Sequence, residues 1–116
     1  MTDAEINAAV ATRIMGWHKH LIDGFWEERP GSGAVVSSWN PAGDWGYAMM
    51  AAEKWCEQHD GLHFLSGFPT GWNVRLSWND LGGKRIAEAN DPSGPLAVCK
   101  ALLQAAGETE TETEKQ

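Results

Sequence analysis

Three features that reveal a protein's environment are scarce or missing in this chain of 116 residues. Only two cysteines occur, Cys56 and Cys99, which excludes a disulfide-rich scaffold and favours reduced thiols in a cytoplasmic protein. No apolar run approaches the roughly 18 residues that a membrane span requires. The N-terminus lacks the basic and then apolar order of a signal peptide. We therefore expect a cytoplasmic protein with no membrane partner.

Positive charge is also scarce, because 9 Lys and Arg oppose 16 Asp and Glu for a net charge of −7. Residues 108–116 contain four Glu and one Lys and contribute −3, which leaves −4 for the remainder. A nucleic-acid-binding protein needs a basic face to neutralise phosphates, so we expect no direct nucleic-acid binding. The acidic segment has no apolar residue, which predicts a disordered tail at 108–116 after a single domain over 1–107.

Tryptophan is abundant instead, with seven in the chain. Two of them lie in the segment 71–79, Gly-Trp-Asn-Val-Arg-Leu-Ser-Trp-Asn, where apolar and polar residues alternate without a break. Alternate side chains of a strand point to opposite faces of a sheet. The segment therefore predicts a strand whose face with Trp72, Val74, Leu76 and Trp78 is covered by helices. Asn73, Arg75 and Ser77 lie on the other face.

Helical and strand patterns on both sides of this strand predict an α+β fold. A capping box at 2–5 and an apolar stripe predict a first helix over about 3–15 or 3–16, covering the sheet. Asn40 as N-cap and Pro41 as first residue predict a second helix to 58 or 59, stopped by Gly61. Segments 62–68, 72–78 and 84–89 predict an antiparallel meander, and 34–37 a short edge strand. A third helix ends at Gly107, with an apolar stripe at 96, 99, 103 and 106.

Three segments share motifs with a known family. Residues 14–17 read Ile-Met-Gly-Trp, residues 39–41 read Trp-Asn-Pro ahead of Asp44-Trp45 and Ala-Ala-Glu-Lys at 51–54, and residues 94–103 read Gly-Pro-Leu-Ala-Val-Cys-Lys-Ala-Leu-Leu. In order and spacing they resemble, respectively, the helix-ending motif, the second helix and the closing helix of the phage ABA sandwich domain family, over residues 3–107. The resemblance implies an α/β/α sandwich from a phage or prophage genome, acting in the host cytoplasm. It implies no activity, because the family has no agreed biochemical role.

No catalytic or metal motif stands out from the residues themselves. Cys56, His59 and His63 have the C-x2-H-x3-H spacing of zinc ligands, but a fourth ligand is missing unless Glu53 or Asp60 joins them. Structural zinc sites usually show two close ligand pairs, so we expect no metal. We also find no activated nucleophile motif. These observations favour a non-enzymatic protein without a cofactor.

Two kinds of ligand remain as candidates. Arg75, Lys84 and Arg85 fall on paired strands of an acidic protein, and Trp26 and Trp39 flank a Gly-rich loop. Guanidinium groups clamp phosphates and indoles stack on bases, which favours a nucleotide site, in the extreme a sponge for a nucleotide signal of host defence. The alternative for the cations is a solvated sheet face. The acidic charge and the excess of Trp instead favour binding of a host protein.

Two further expectations concern the surface. The start of the third helix, at Gly94 and Pro95, is a second possible anion site. Seven Trp, four Met and three Phe exceed what so small a domain buries easily. We expect some of them, first Trp26 or Trp39, to be exposed and to mark an interface. This predicts a homodimer, with the meander edges at 62–68 or 84–89 as the alternative contact.

Overall fold

The computed structural model describes residues 2–19, 26–27, 35–36, 38–80 and 82–111. Three helices are present in these ranges, α1 (Asp3–Arg13), α2 (Trp45–His59) and α3 (Gly94–Thr111). The strands are β1 (His18–Lys19), β2 (Trp26–Glu27), β3 (Val35–Val36), β4 (Leu62–Phe68), β5 (Gly71–Asp80) and β6 (Gly83–Asp91). They form two antiparallel sheets with the orders β1-β2-β3 and β4-β5-β6. The predicted α+β class, with three helices and an antiparallel meander, is confirmed.

The central strand β5 has the predicted facing. Val74, Leu76 and Trp78 are buried, whereas Arg75 on the other face is exposed. Trp72 points the same way as the buried residues but is only partly buried, because it lies at the end of the strand. The larger sheet therefore has one face covered by helices and one face open to solvent.

Helix α3 occupies the centre of the domain. It packs against β5 and β6 on one side and against α1 and α2 on the other. Cys99 and Ala106 of the predicted stripe are buried, and five more residues join them: Ala97, Val98, Ala101, Leu102 and Ala105. A helix that is apolar on almost all sides has neighbours on several of them. The single predicted stripe therefore underestimates how much of α3 is buried.

Helix α1 begins at the predicted capping box. The Thr2 Oγ1 atom accepts a hydrogen bond from the Glu5 amide at 3.2 Å, and Glu5 Oε1 accepts one from the Thr2 amide at 2.9 Å. The predicted role of α1 is wrong, however, because it packs mainly against α3 and not on the sheet. Asn7 holds it in place: its carbonyl accepts from Trp39 Nε1 at 2.9 Å and its Oδ1 from the Ala42 amide at 2.8 Å.

Helix α2 starts four residues later than predicted. Asn40 and Pro41 form part of a turn in which the Gly43 amide donates to the Asn40 carbonyl at 3.2 Å. The actual N-cap is Asp44, whose Oδ1 accepts from the Tyr47 amide at 3.2 Å. Both Asn and Asp cap helices well, so the sequence offered two starts and the structure uses the second.

Two further predictions concern the acidic tail at 108–116 and the short edge strand at 34–37. Helix α3 continues past the predicted end at Gly107 to Thr111, so the first four residues of the predicted tail are helical. Residues 112–116 lie outside the described residues. Strand β3 confirms a short strand within 34–37 at an edge of the smaller sheet. Within the described ranges, every helix is too short or too polar to traverse a bilayer.

Candidate functional site

The face of the larger sheet that no described helix covers is the most distinctive surface of the molecule, and we call it the open face. It consists of residues 62, 64, 66 and 68 of β4, residues 73, 75 and 77 of β5, and residues 84, 86, 88 and 90 of β6. Four large apolar side chains on it are exposed to solvent, Leu62 by 64%, Phe64 by 54%, Phe68 by 59% and Ile86 by 45%. Soluble domains seldom leave several such side chains together on one sheet face.

Polar pairs cross the middle of the open face. Arg75 Nη2 lies 3.2 Å from Glu88 Oε2, and Asn73 Nδ2 donates to Asn90 Oδ1 at 2.8 Å. These are register neighbours on β5 and β6, so each pair spans two adjacent strands. The apolar residues of the face therefore belong to the outer strands, and the polar pairs belong to the centre and β6.

A shallow hollow lies within the open face. Its volume is about 340 Å³, and it is lined by Phe64, Ser66, Asn73 and Arg75. Phe64 and Arg75 are register partners, so an aromatic ring and a guanidinium group stand side by side there. The hollow thus combines a stacking surface, a cation and two polar groups of the kinds that ligand sites use.

The three predicted cations do not converge on one site. Arg75 and Lys84 are both on the open face, since Lys84 pairs with Asn79 in the register of β5. Arg85 pairs with Trp78 and so lies on the covered side, where its Nε is 3.0 Å from Asp80 Oδ2. Adjacent positions of a strand must point to opposite faces, so Lys84 and Arg85 could never have shared one.

The two predicted site tryptophans lie elsewhere. Trp39 is buried, with its ring centroid 4.6 Å from that of Trp17 and 5.2 Å from that of Tyr47. Its predicted exposure is therefore wrong, because α1 and the start of α2 close over it. Trp26 is partly buried in β2, with Lys19 Nζ 6.0 Å from its ring centroid. Both pack with the core and not on the open face.

The predicted anion site at the start of α3 is closed. Gly94 and Pro95 are buried, and the Trp45 ring lies directly over Gly94. The Leu96 amide is directed at Ser93 Oγ at 3.5 Å. The Trp45 ring and the Ser93 hydroxyl therefore occupy positions at this helix end that an anion would need.

A cleft of about 460 Å³ lies between α2 and the start of β4. Its lining includes Glu53, Cys56 and Glu57 of the helix and Leu62 and His63 of the strand. Burial raises the pKa of the Cys56 thiol, so the thiol stays protonated at neutral pH. The His63 Nδ1 atom is buried and has no hydrogen-bond partner within the described residues.

Cys56, His59 and His63, whose spacing resembles that of zinc ligands, are not assembled around this cleft. His59 turns back along its own helix, with Nδ1 3.0 Å from the Trp55 carbonyl oxygen and its ring stacked on Trp55 at 3.6 Å. In the ranges that the structure describes, no three His, Cys, Asp or Glu side chains gather as metal ligands would.

The residues that sequence reasoning missed are the apolar ones of the open face. Leu62 and Phe64 share a strand side, and Ser77 pairs with both Leu62 and Ile86. The alternation of β4 contained this signal. In the observed register, Leu62 and Phe64 pair with polar residues of β5 and lie on the same face of the sheet as those residues. Predicting that register requires the length of the turn at 69–70 to be known.

Together, these features define a small α+β domain with two three-stranded antiparallel sheets, the larger of which has helices on one face and an exposed apolar surface on the other. The model of the Phage ABA sandwich domain family matches residues 8–103, and the chain belongs to that family. A crystal structure at 2.0 Å of a phage protein from Bacillus cereus ATCC 14579 is similar, with a TM-score of 0.65 over 90% of this chain and 92% of that one. At 16% identity this likeness shows a common fold. No curated protein matches the chain.

Proposed function

We propose that this protein is a non-enzymatic phage or prophage accessory protein that binds a host protein through its open face, and thereby counters host defence. The observation that carries the proposal is the set of four exposed apolar side chains on one sheet face. Transfer of such side chains out of water supplies about 25 cal/mol per Å² of apolar area, and protein partners are the usual means of covering them.

Charge supports a basic partner. The chain carries a net charge of −7, which acts over long range, whereas the open face itself carries Arg75 and Lys84 against Glu88. An acidic domain is drawn to a basic surface and repelled by acidic ones, which affects the rate and selectivity of association more than its strength. The exposed Phe64 and Ile86 would then supply the apolar contacts, as aromatic and aliphatic anchors do in protein interfaces.

A pull-down from host lysate with a matched pair of variants tests the proposal. Phe64→Ser combined with Ile86→Ser removes apolar area from the open face without adding charge. Met50→Ser removes an equally exposed apolar side chain from α2, since Met50 is 45% exposed. We expect a host protein that the parent and Met50→Ser retain and the double variant loses. Equal recovery by all three, with circular dichroism showing equal folding, would count against the open face.

The 340 Å³ hollow beside Phe64 and Arg75 favours a second candidate, a small nucleotide. A base would stack on the Phe64 ring and a phosphate would pair with Arg75, with Lys84 further along the same face. Thermal-shift measurements against cyclic and ADP-ribose-type nucleotides at millimolar concentration test it. A rise in melting temperature that Arg75→Ala abolishes would support this function, and unchanged melting across the panel would remove it.

A further inference from the structure

The two outer strands of the larger sheet differ in charge. Strand β6 carries Lys84, Arg85, Glu88 and Asp91, whereas β4 contains no Asp, Glu, Lys or Arg. An outer strand presents unpaired N–H and C=O groups to solvent, and soluble proteins commonly protect such edges with charged side chains or proline. By this criterion β6 is protected against pairing. Strand β4 is not, because it contains neither a charged side chain nor a proline.

Both sides of β4 are also short of neighbours within the described structure. On the open face Leu62 and Phe64 are exposed. On the covered side His63 and Leu65 are only partly buried, although their register partner residues Leu76 and Val74 on β5 are fully buried. The unpartnered Nδ1 of His63 lies on the same side. The exposed side chains on one face and the half-buried ones on the other leave β4 less covered than β5 within the described structure, and point to its outer edge as the place for a further contact.

We propose that β4 pairs with β4 of a second copy of this chain, antiparallel about a two-fold axis, to give a continuous six-stranded sheet. Two uncharged strands pair without repulsion. An antiparallel pair of identical strands closes on itself, whereas pairing of β4 with β6 of the next copy would propagate into an open chain. Pairing over the full length of β4 places Leu62 opposite Phe68 of the second copy and Phe64 opposite its Ser66, which would add apolar burial on the same face.

Pairing at this edge would change the character of the open face. In one copy the apolar residues of β4 lie at the margin of the sheet, beside the polar pairs of β5 and β6. In the pair, the two β4 strands lie at the middle, so that Leu62, Phe64 and Phe68 of both copies form one central apolar strip. The inference is independent of the proposed function, because edge pairing leaves the open face available to another protein.

Sedimentation velocity of the purified full chain over the micromolar range tests the pairing. We expect the parent at twice the monomer mass of 12.7 kDa. Ser66→Lys and Ser77→Lys form a matched pair, because both place the same charge on the open face, one on the edge strand β4 and one on the central strand β5. Ser66→Lys should lower the mass to that of the monomer, and Ser77→Lys should leave the dimer intact.

Other outcomes would overturn the proposal. A parent that is monomeric throughout has no such pairing, and its β4 edge would be left for a strand of the target protein. A dimer that Ser77→Lys dissociates packs face to face, and one that neither variant dissociates forms elsewhere. If Ser66→Lys fails to fold, amide hydrogen exchange of the parent decides. Protection of 62–68 should then rise with protein concentration while that of 83–91 does not.

Discussion

Side chains of the same three strands point alternately to the covered and the open face of the larger sheet. The main apolar side chains of the two faces nevertheless come from different strands. On the covered face the central strand β5 is the most deeply buried, with Val74, Leu76 and Trp78. On the open face β5 is polar, and the apolar side chains belong to the outer strands, with Phe64 on β4 and Ile86 on β6. The central strand thus supplies the most deeply buried residues of the sheet, while the outer strands supply its exposed apolar surface.

The largest expected effect is on the covered face. Trp78→Ala empties a fully buried site between α2, α3 and the sheet, where its ring meets Trp55 edge-on at a centroid distance of 5.6 Å. We expect a loss of about 3–5 kcal/mol in the free energy of unfolding, measured by urea denaturation. Trp72→Ala, at a partly buried position of the same face, should lose clearly less. Equal losses would show that depth on this face does not determine stability.

The next effect concerns the end of the covered face, where the Trp45 ring lies against Gly94 and meets Trp72 at 4.9 Å. Gly94→Ala places a methyl group within the volume of that ring. We expect a loss of about 1–3 kcal/mol by thermal or urea denaturation, because the ring must move out. Gly107→Ala in the same helix is the control. A methyl group there meets no atom within 4 Å, so it should stabilise the helix, by up to about 1 kcal/mol.

A smaller effect depends on pH, at the junction of β6 and α3. A hydrogen bond from the Lys100 ammonium, then one from the Ser93 amide, lowers the pKa of the Asp91 carboxyl. The resulting stabilisation is fully present above the unfolded pKa, near 3.9, and is lost as the pH falls through the lower folded value. Asp91→Asn should therefore flatten the acid side of the stability curve and cost about 1 kcal/mol at pH 7.

Lys100→Met provides the check on that assignment. It removes the main cause of the lowered Asp91 pKa and leaves the carboxylate in place. Denaturation between pH 2 and 7 should show a similar flattening. A Lys100→Met curve as steep as that of the parent would assign the pH dependence to other carboxylates.

The smallest effect is expected on the open face. Arg75→Ala removes an ion pair whose side chains are 51% and 42% exposed, for Arg75 and Glu88 respectively. Pairs of this kind contribute about 0–1 kcal/mol, so the unfolding free energy should change by less than about 1 kcal/mol. A double-mutant cycle with Glu88→Ala measures the coupling. A coupling above about 1 kcal/mol would mean that the open face, like the covered one, is built for stability.

Much of the fold was predictable because local signals agree. The alternation of 72–78 predicts both the strand and its facing, and the Thr2–Glu5 capping box predicts the start of α1. What failed is tertiary in origin. The apolar stripe on α1 predicts that one face of the helix is buried. It does not predict that this face packs against α3 and not against the sheet. The exposure of Trp39 was mispredicted because its contact with the Asn7 carbonyl spans 32 residues of sequence.

The candidate site was less predictable than the fold. Charge alone grouped Arg75, Lys84 and Arg85, although strand alternation separates the last two. The open face depends on exposure, and Phe64 or Ile86 in a sequence reads equally well as core. Only the placement of the three described helices on the other side of the sheet distinguishes the two.

The unequal surroundings of the two cysteines provide a labelling scheme without any mutation. Burial, with a smaller contribution from Asp3, raises the pKa of Cys99 to about 12, and its side chain has no exposed surface. Cys56 lines the cleft beside β4 and retains some exposure. A maleimide dye should therefore modify Cys56 alone in the folded protein. The labelled protein then carries one fluorescent dye next to Leu62 and His63 of β4. The emission of this dye should change when another chain binds along β4.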